Sequence, residues 1–344
     1  MLAVVKPSAE AACQVLTIPR PDPQAGQVLV RVWAVGICGT DLPIFSGQRK
    51  VPYPLVPGHE FAGEVVSNGP GAHTFVPGDR VTAGLVAACG ECPWCRKGQE
   101  SLCDQVYKIG ISGNGGFAQY VAVPEKTLHH LPDSMTFAQG ASIDPVASAY
   151  RPISKARIKS NDLVVIVGPG PIGLYALQLA RAEGAMHVAV LGAEADGPRL
   201  DLAQRLGADM VLDVSRKDPA QAVQSLFQNR LADVVIEAAG SQSSLHTCLQ
   251  VAKKQARICL VGLFHHQVAF DAGDVVRKEL SIQGSICYTR EDFQTSLDLV
   301  AAGRVQVDPL ITHTYALTDI HQAIQAAEAK TSVKAMILPN QEME

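Results

Sequence analysis

Cys89, Cys92, Cys95 and Cys103 stand in the spacing C-x2-C-x2-C-x7-C within a single short stretch. Zinc, a d10 ion, takes four thiolates tetrahedrally, and two-residue spacers let a turning backbone aim its sulfurs at one centre. Gly90 and Pro93 turn the chain there, and Arg96 and Lys97 offset thiolate charge. The pattern predicts an all-cysteine structural zinc site. A second donor set lies earlier, in Gly36-Ile-Cys38-Gly-Thr40-Asp41 and Gly58-His59-Glu60-Phe-Ala-Gly63. A catalytic zinc needs three protein ligands and one open position. Cys38 and His59 are suitable donors, and Glu60 and Asp144, the latter before Pro145, are the available carboxylates. By themselves Cys38 and His59 also fit a buried thiol and a hydrogen-bonded core histidine.

The third chemical signal is Val165-Ile-Val-Gly168-Pro-Gly170-Pro171-Ile172-Gly173, an apolar strand running into G-x-G-x-x-G and then a helical segment. Gly168 makes the tight turn, Gly170 lets backbone approach a pyrophosphate, and Gly173 permits close helix packing. The helix start at Pro171 and Ile172 offers amides to the phosphates. The next strand ends Val190-Leu191-Gly192-Ala193-Glu194, followed by Asp196 and Arg199. Glu194 on the ribose hydroxyls would give NAD; Gly192 with Arg199 would leave room for a 2′-phosphate and give NADP. The reading leans to NAD. Glu194 and Asp196 also fit solvated loop charges.

These residues need elements to hold them. Residues 1 to about 146 read as short strands cut by Gly and Pro, an antiparallel barrel-like pattern with little helix. From about 161 to 285, apolar strands (LVVIVG, HVAVLG, DVVIEAAG, RICLVGL, LSIQGS) alternate with helical segments, the signature of a covered parallel sheet. Residues 286–344 offer two amphipathic helices and a closing strand, VKAMILP, expected to pack on the first domain. The adjacent pairs His129-His130 and His265-His266 point differently on a strand, so surface or loop is expected for them. At 344 residues and 47% hydrophobic content the chain can build two domains. A net charge of -4, without a basic stripe, argues against nucleic acid or an anionic membrane as partner. No signal peptide is read in MLAVVKPSAEAACQV, and no run approaches the ~18 apolar residues of a membrane span. Nine cysteines, four in metal-like spacing, suit a reducing compartment, so a cytoplasmic protein is expected.

GICGTD, GHEFAGEV, the four-cysteine stretch and the Gly-rich turn, in that order, resemble the zinc-dependent medium-chain alcohol and polyol dehydrogenases, in the sorbitol and threonine dehydrogenase-like branch. The resemblance covers essentially the whole chain. It implies an α/β fold: a barrel-like GroES-type catalytic domain over 1–147 and 286–344, with the zinc lobe at 89–103, and a doubly wound parallel-sheet Rossmann domain over 148–285. It implies Cys38 and His59 as ligands of a catalytic zinc, Glu60 as a neighbour able to exchange with water on the metal, and Asp144, in SIDPVAS, as the acidic third ligand. Thr40 matches the proton-relay hydroxyl. Where many relatives place a histidine three residues later this chain has Pro43, so the relay must finish elsewhere and the threonine dehydrogenase reading weakens. Val261, Gly262, Leu263, Ser285 and Ile286, with Cys287, should flank the nicotinamide, and Phe117 and Tyr288 are candidates for the substrate wall. The implied enzyme carries two zinc ions per chain and uses NAD or NADP. It interconverts a secondary alcohol, polyol or sugar-derived, and its ketone, as a homodimer or homotetramer with Ser281 to Tyr288 a subunit contact. The rivals are a threonine dehydrogenase-like enzyme, a simple secondary-alcohol dehydrogenase and a non-catalytic nucleotide-binding scaffold.

Overall fold

A computed structural model describes residues 1–341. It divides into two compact units, one formed by Met1–Pro145, Thr289–Ala301 and the chain from Val307 onward, the other by Val146–Tyr288 with Ala302–Gln306. The sequence reading puts its breaks after 147 and 285 and keeps 302–306 with the first unit. The five-residue return to the second unit has a local cause. Gln178 and Gln306 exchange two hydrogen bonds, at 2.7 and 3.0 Å, and Arg304 donates to Ala182 O at 3.3 Å. Residues 342–344, which that reading counts with the first unit, lie outside the described residues.

The first unit begins with β1 (Leu2–Val5) and β2 (Gln14–Thr17), an antiparallel pair. Strand β3 (Gln27–Gly36) is followed by a single-turn α1 (Leu42–Phe45), then β4 (Glu60–Asn68), β5 (Arg80–Ala83), and the short pair β6 (Val86–Ala87) and β7 (Tyr107–Lys108). Next come β8 (Tyr120–Pro124), β9 (Leu128–His130) and α2 (Phe137–Ala141). Strand β3 alternates buried Val28, Val30 and Val32 with half-buried Arg31 and Trp33, the period-2 signature of a strand with one face on a core. That core gathers Phe61, Val81, Val121, Leu128 and Ile337 among others, each side chain contributing about 1.5–3 kcal/mol by leaving water. His129 departs from the expected surface position. It lies buried on β9 against the Phe293 ring, with Nδ1 3.2 Å from Gln294 Oε1, and burial pulls its pKa down to about 4; His130, its neighbour, points out.

The second unit starts within α3 (Ile143–Ala156) and runs through β10 (Leu163–Val167), α4 (Pro171–Ala182), β11 (His187–Gly192), α5 (Gly197–Arg205), β12 (Met210–Asp213), α6 (Pro219–Leu226), β13 (Ala232–Glu237), α7 (Gln242–Val251), β14 (Ala252–Leu260), α8 (Ala272–Lys278) and β15 (Ser281–Gly284). Its sheet is parallel throughout, in the order β12-β11-β10-β13-β14-β15. This is the doubly wound Rossmann order. Every residue of β10 is buried, as a continuous apolar run must be when both faces are covered. Strand β12 is absent from the five strands read in the sequence, since MVLD gives only four residues of signal. The chain then returns to the first unit through α9 (Arg290–Ala301), β16 (Ile311–Ala316), α10 (Ile320–Glu328) and β17 (Lys334–Leu338). Strand β17 pairs antiparallel with β3, completing a sheet ordered β16-β17-β3-β4-β5-β9 with β8 also on β3. The expected packing of the tail on the first domain is therefore a strand pairing, and β16, unread in the sequence, extends it.

Candidate active site and cofactor site

The register of three strands builds the first constellation. Gly36, the last residue of β3, pairs with Glu60, the first of β4, and on its other side with Met336 of β17. Cys38, two residues beyond β3, and His59, one before β4, therefore leave the sheet at one end, and Lys334 enters at that end. One donor atom each from Cys38, His59 and Glu60 lies within 4.8 Å of the others. A Cβ on Gly36 would meet Glu60 Oε2 and lie 2.8 Å from Lys334 Cε, so a larger residue there would have to displace that buried pair.

The surroundings are anionic and dry. Asp41, fully buried, accepts the Cys38 N–H at 2.9 Å through Oδ2, while Oδ1 lies 3.6 Å from His59 Nδ1. Burial pushes the Asp41 carboxyl up, and the nearby imidazole opposes it. Burial would lower His59, but Asp41, Cys38 and Asp144 together carry it up to about 10. Such a site is short of positive charge, and His59 Nδ1 and Asp41 Oδ1 are buried without a hydrogen-bond partner among the described residues. A zinc ion fits this donor set: it would supply the charge, and its binding at the other imidazole nitrogen would fix Nδ1–H toward Asp41. Asp144 sits in the first turn of α3, buried, its Oδ2 accepting the Leu85 N–H at 3.2 Å. Its carboxylate is close enough to act on His59 but lies outside the three-residue group. Thr40 Oγ1 is buried and finds no hydrogen-bond partner among the described residues. Phe117 is wholly buried against Gly58 and the Phe45 ring.

Lys334 was not legible as a site residue. Its ammonium is buried, pairs with Glu60 Oε2 and donates to Ile37 O at 2.9 Å. Burial disfavours its charge, yet Glu60 and Cys38 more than offset this and its pKa lies above the ordinary value. The one sequence signal is a lysine opening the apolar run KAMIL. Asp41 was also unassigned, although it stands inside the GICGTD motif. Removing one partner of a buried ion pair typically costs about 3–5 kcal/mol. Lys334→Met should therefore lower unfolding free energy by about that amount in urea denaturation, and adding Glu60→Gln should restore most of it. Equal stability for Lys334→Met and wild type would mean the pair carries no such energy.

The four cysteines close into one knot, with all four sulfurs within 4.8 Å. None is disulfide-bonded. The Cys92–Cys95 and Cys89–Cys95 separations, 3.5 and 3.8 Å, approach the roughly 3.8 Å expected of sulfurs around one tetrahedral zinc. Backbone N–H groups of Cys89, Glu91, Cys92 and Gln105 point at Cys89 or Cys103 sulfur. Such donors favour thiolates: backbone N–H groups bring Cys92 down to about 6, whereas burial among its neighbours pushes Cys95 up to about 12. Four sulfurs held this close, with backbone N–H groups aimed at two of them, suit a shared cation.

In the second unit the glycine-rich turn follows β10. Gly168 adopts φ +110°, and a Cβ on Gly173 would collide with Gly168 O, so the turn and α4 pack backbone to backbone. Pro171 occupies the first position of α4, where its missing N–H costs nothing. Val261, Gly262 and Leu263 follow β14, and Ser285 and Ile286 follow β15, so all leave the sheet at the edge where Gly168 lies. Val261 and Gly262 N–H both donate to Glu237 O, at 2.9 and 3.0 Å. The buried Glu237 carboxylate, another residue the sequence did not flag, accepts from Ala239 N, Gly240 N and Ser244 Oγ and shapes the adjoining turn. Glu194 is exposed and paired to Arg216 at 3.0 Å, Arg216 also meeting Asp213 at 3.1 Å. Asp196 turns back to accept the Ala193 N–H, and burial lowers the Arg199 guanidinium. His265 and His266 are exposed in a loop, as expected.

Residues 24–133 match the alcohol dehydrogenase GroES-like domain, and residues 171–302 match the zinc-binding dehydrogenase domain. The chain is 33% identical to a sorbitol dehydrogenase of Halalkalibacterium halodurans, over 93% of this chain and 94% of that one. The chain belongs to the zinc-dependent medium-chain dehydrogenases. It is 35% identical to a D-arabitol-phosphate dehydrogenase of Enterococcus avium, over 94% and 92% of the two chains. A solved structure described as a zinc-binding dehydrogenase of Sinorhizobium meliloti bound to NADP superposes with a TM-score of 0.91 at 32% identity, covering 98% of this chain and 99% of that one. As a member of this family the chain is a dehydrogenase.

Proposed function

We propose that this dehydrogenase interconverts a secondary alcohol of the polyol class and its ketone, with NAD as hydride acceptor. The observation that carries the reading is the gathering of half-buried Cys38 with buried His59 and Glu60 beside buried Asp41. Cys38, His59 and an acidic residue, Asp144 or Glu60, would hold the catalytic zinc, and Cys89, Cys92, Cys95 and Cys103 a structural one. When bound, the metal supplies Lewis acidity that lowers the pKa of an alcohol oxygen, and NAD takes up the hydride. The protein's own groups do the rest. Asp41, with Oδ1 3.6 Å from His59 Nδ1, would orient the imidazole once a metal holds the other nitrogen, and Lys334 pairs with one oxygen of Glu60. The Thr40 hydroxyl can accept the substrate proton while donating its own onward, the amphoteric behaviour a relay requires. Pro43 offers no proton beyond it, so the groups that would finish the relay are a bound cofactor's ribose hydroxyl and water.

The choice of NAD is supported by charge. Around the ends of β11 and β12, Glu194, Asp196 and Asp213 outnumber Arg199 and Arg216, and Arg216 is spent between two carboxylates. A ribose diol tolerates that balance better than a 2′-phosphate does. Strand β15 has a neighbour, β14, on one side only, and its open edge is the contact we assign to a homodimer or homotetramer. Among the described residues no helix is long and apolar enough to cross a membrane, and nine free cysteines favour a reducing, cytoplasmic setting.

The test is reduction of NAD and of NADP, followed by absorbance, with sorbitol, arabitol, simple secondary alcohols and threonine. The expected result is turnover of a polyol with kcat/KM for NAD at least about tenfold above NADP. Preference for threonine or a simple secondary alcohol would replace the substrate class. Silence across the panel, with zinc found only at the four cysteines, would reduce the chain to a nucleotide-binding scaffold.

A further inference from the structure

At the edge of the Rossmann sheet where β10 and β14 begin lies a cavity of about 480 Å³ that the dehydrogenase reading does not use. That is the size of a small-molecule site, ~300–1,000 Å³. Six cationic side chains and two carboxylates line it, in a chain whose net charge is -4. Both carboxylates are already matched. Asp162 pairs with Arg257 at 2.5 Å, and Asp233 with Lys253 and, at 3.0 Å, with Arg230. Arg257 is fully engaged, donating also to Ala156 O and Arg157 O at 2.6 Å each. Of the four cations left, half-buried Lys155 donates to Gly284 O, and Arg157, Lys159 and Lys254 are exposed on the same cavity with no carboxylate partner among the described residues.

The backbone adds a second, independent observation. Arg157, the first residue past α3, has φ +49°, and Gln255, next to Lys254, has φ +61°. A glycine takes such left-handed conformations without cost, and the position just past a helix is where glycine is commonest. At Arg157 the chain instead keeps a strained residue whose side chain is a planar cation lining the cavity. The same conformation follows α8 at Glu279 and α10 at Lys330, so what bears on function at Arg157 is the cation that the turn places on the cavity.

We propose that this cavity is a binding site for a phosphate-bearing small anion, held by Arg157, Lys159 and Lys254. Three unmatched cations within one concave site exceed what a single carboxylate neutralises, and a guanidinium fork with two ammonium groups suits the oxygens of a phosphate or diphosphate. Bound there, the anion relieves repulsion among the cations and steadies the strand starts that Asp162 and Asp233 anchor through Lys159 N and Leu163 N. The site lies at the opposite sheet edge from the Gly-rich turn, so it is separate from the cofactor.

The experiment is calorimetric titration of the zinc-loaded protein with inorganic phosphate and with pyrophosphate, at ionic strength fixed with sodium chloride, with and without saturating NAD. Saturable binding that NAD leaves unchanged is expected, tighter for pyrophosphate. Lys159→Gln/Lys254→Gln should weaken it by about tenfold. Arg157→Gly should weaken it while leaving the anion-free Tm unchanged or higher, because the glycine relaxes the left-handed turn. Binding abolished by NAD would place the anion at the Gly-rich turn and overturn the proposal. So would the same affinity in both variants, or no saturable heat up to about 10 mM. None of these residues belongs to the proposed catalytic site, so dehydrogenase turnover should persist in both variants, and its absence in wild type would count against the proposed function alone.

Discussion

His59→Ala should yield a protein with one zinc ion per chain instead of two and polyol turnover reduced at least about a thousandfold. The reason lies in the density of negative groups. Cys38, Asp41 and Asp144 act on one imidazole, Glu60 has a donor atom within 4.8 Å of it, and the one buried cation beside them, Lys334, is paired to Glu60. Without the imidazole, Cys38 and a carboxylate remain, too few donors for the three-ligand site that keeps a position open to substrate. Zinc content by atomic emission and kcat/KM should fall together, with the four-cysteine zinc retained. Asp144→Asn is the informative companion, since its amide oxygen can still accept the Leu85 N–H while the charge is gone. Loss of the same zinc there assigns Asp144 to the metal; zinc retained assigns the acidic ligand to Glu60. A His59→Ala protein that kept two zinc ions and full activity would end the proposal of catalysis at this site.

Cys103→Ser should produce the reverse pattern. Cys103 is the most buried of the four thiols, and its sulfur accepts N–H groups from both Cys89 and Gln105. Structural zinc contributes on the order of 10–16 kcal/mol to folding of isolated zinc peptides, and the lobe between Cys89 and Cys103 contains only two short 3-10 turns besides. Zinc should again fall from two to one, but now Tm should drop by about 10 °C or more while molecules still folded turn over substrate. Thermal unfolding with and without a chelator reads this directly. An unchanged Tm would mean that the lobe holds itself together without metal.

What could be read ahead of the structure was chemistry carried by neighbours in sequence. The cysteine spacing, the GHE triplet and the glycine-rich turn each span a few residues, so short-range geometry determines them. The five Rossmann strands announced themselves as apolar runs, and MVLD was too brief to do so. Helix α3 was missed because Pro145 and Pro152 break the local helical pattern, although Pro145 falls in its first turn. Asp144 was therefore read as a residue before a proline and not as one on a helix start. Lys334 was invisible for another reason: its partner Glu60 is 274 positions away, and only the pairing of β17 with β3 brings them together. Arg216 and Glu194, 22 positions apart, illustrate the same limit on a smaller scale.

The discontinuous first unit also sets an order of assembly during synthesis. The second unit is nearly contiguous and can fold as soon as it clears the ribosome, whereas the sheet around Glu60 stays incomplete until β17 emerges. Until then the Glu60 carboxylate lacks its ammonium, and the end of β3 that carries Cys38 lacks one flanking strand. A nascent chain thus carries Cys38, His59 and Glu60 without Lys334 throughout translation of the middle of the protein, and the buried ion pair to Glu60 forms only once β17 is in place.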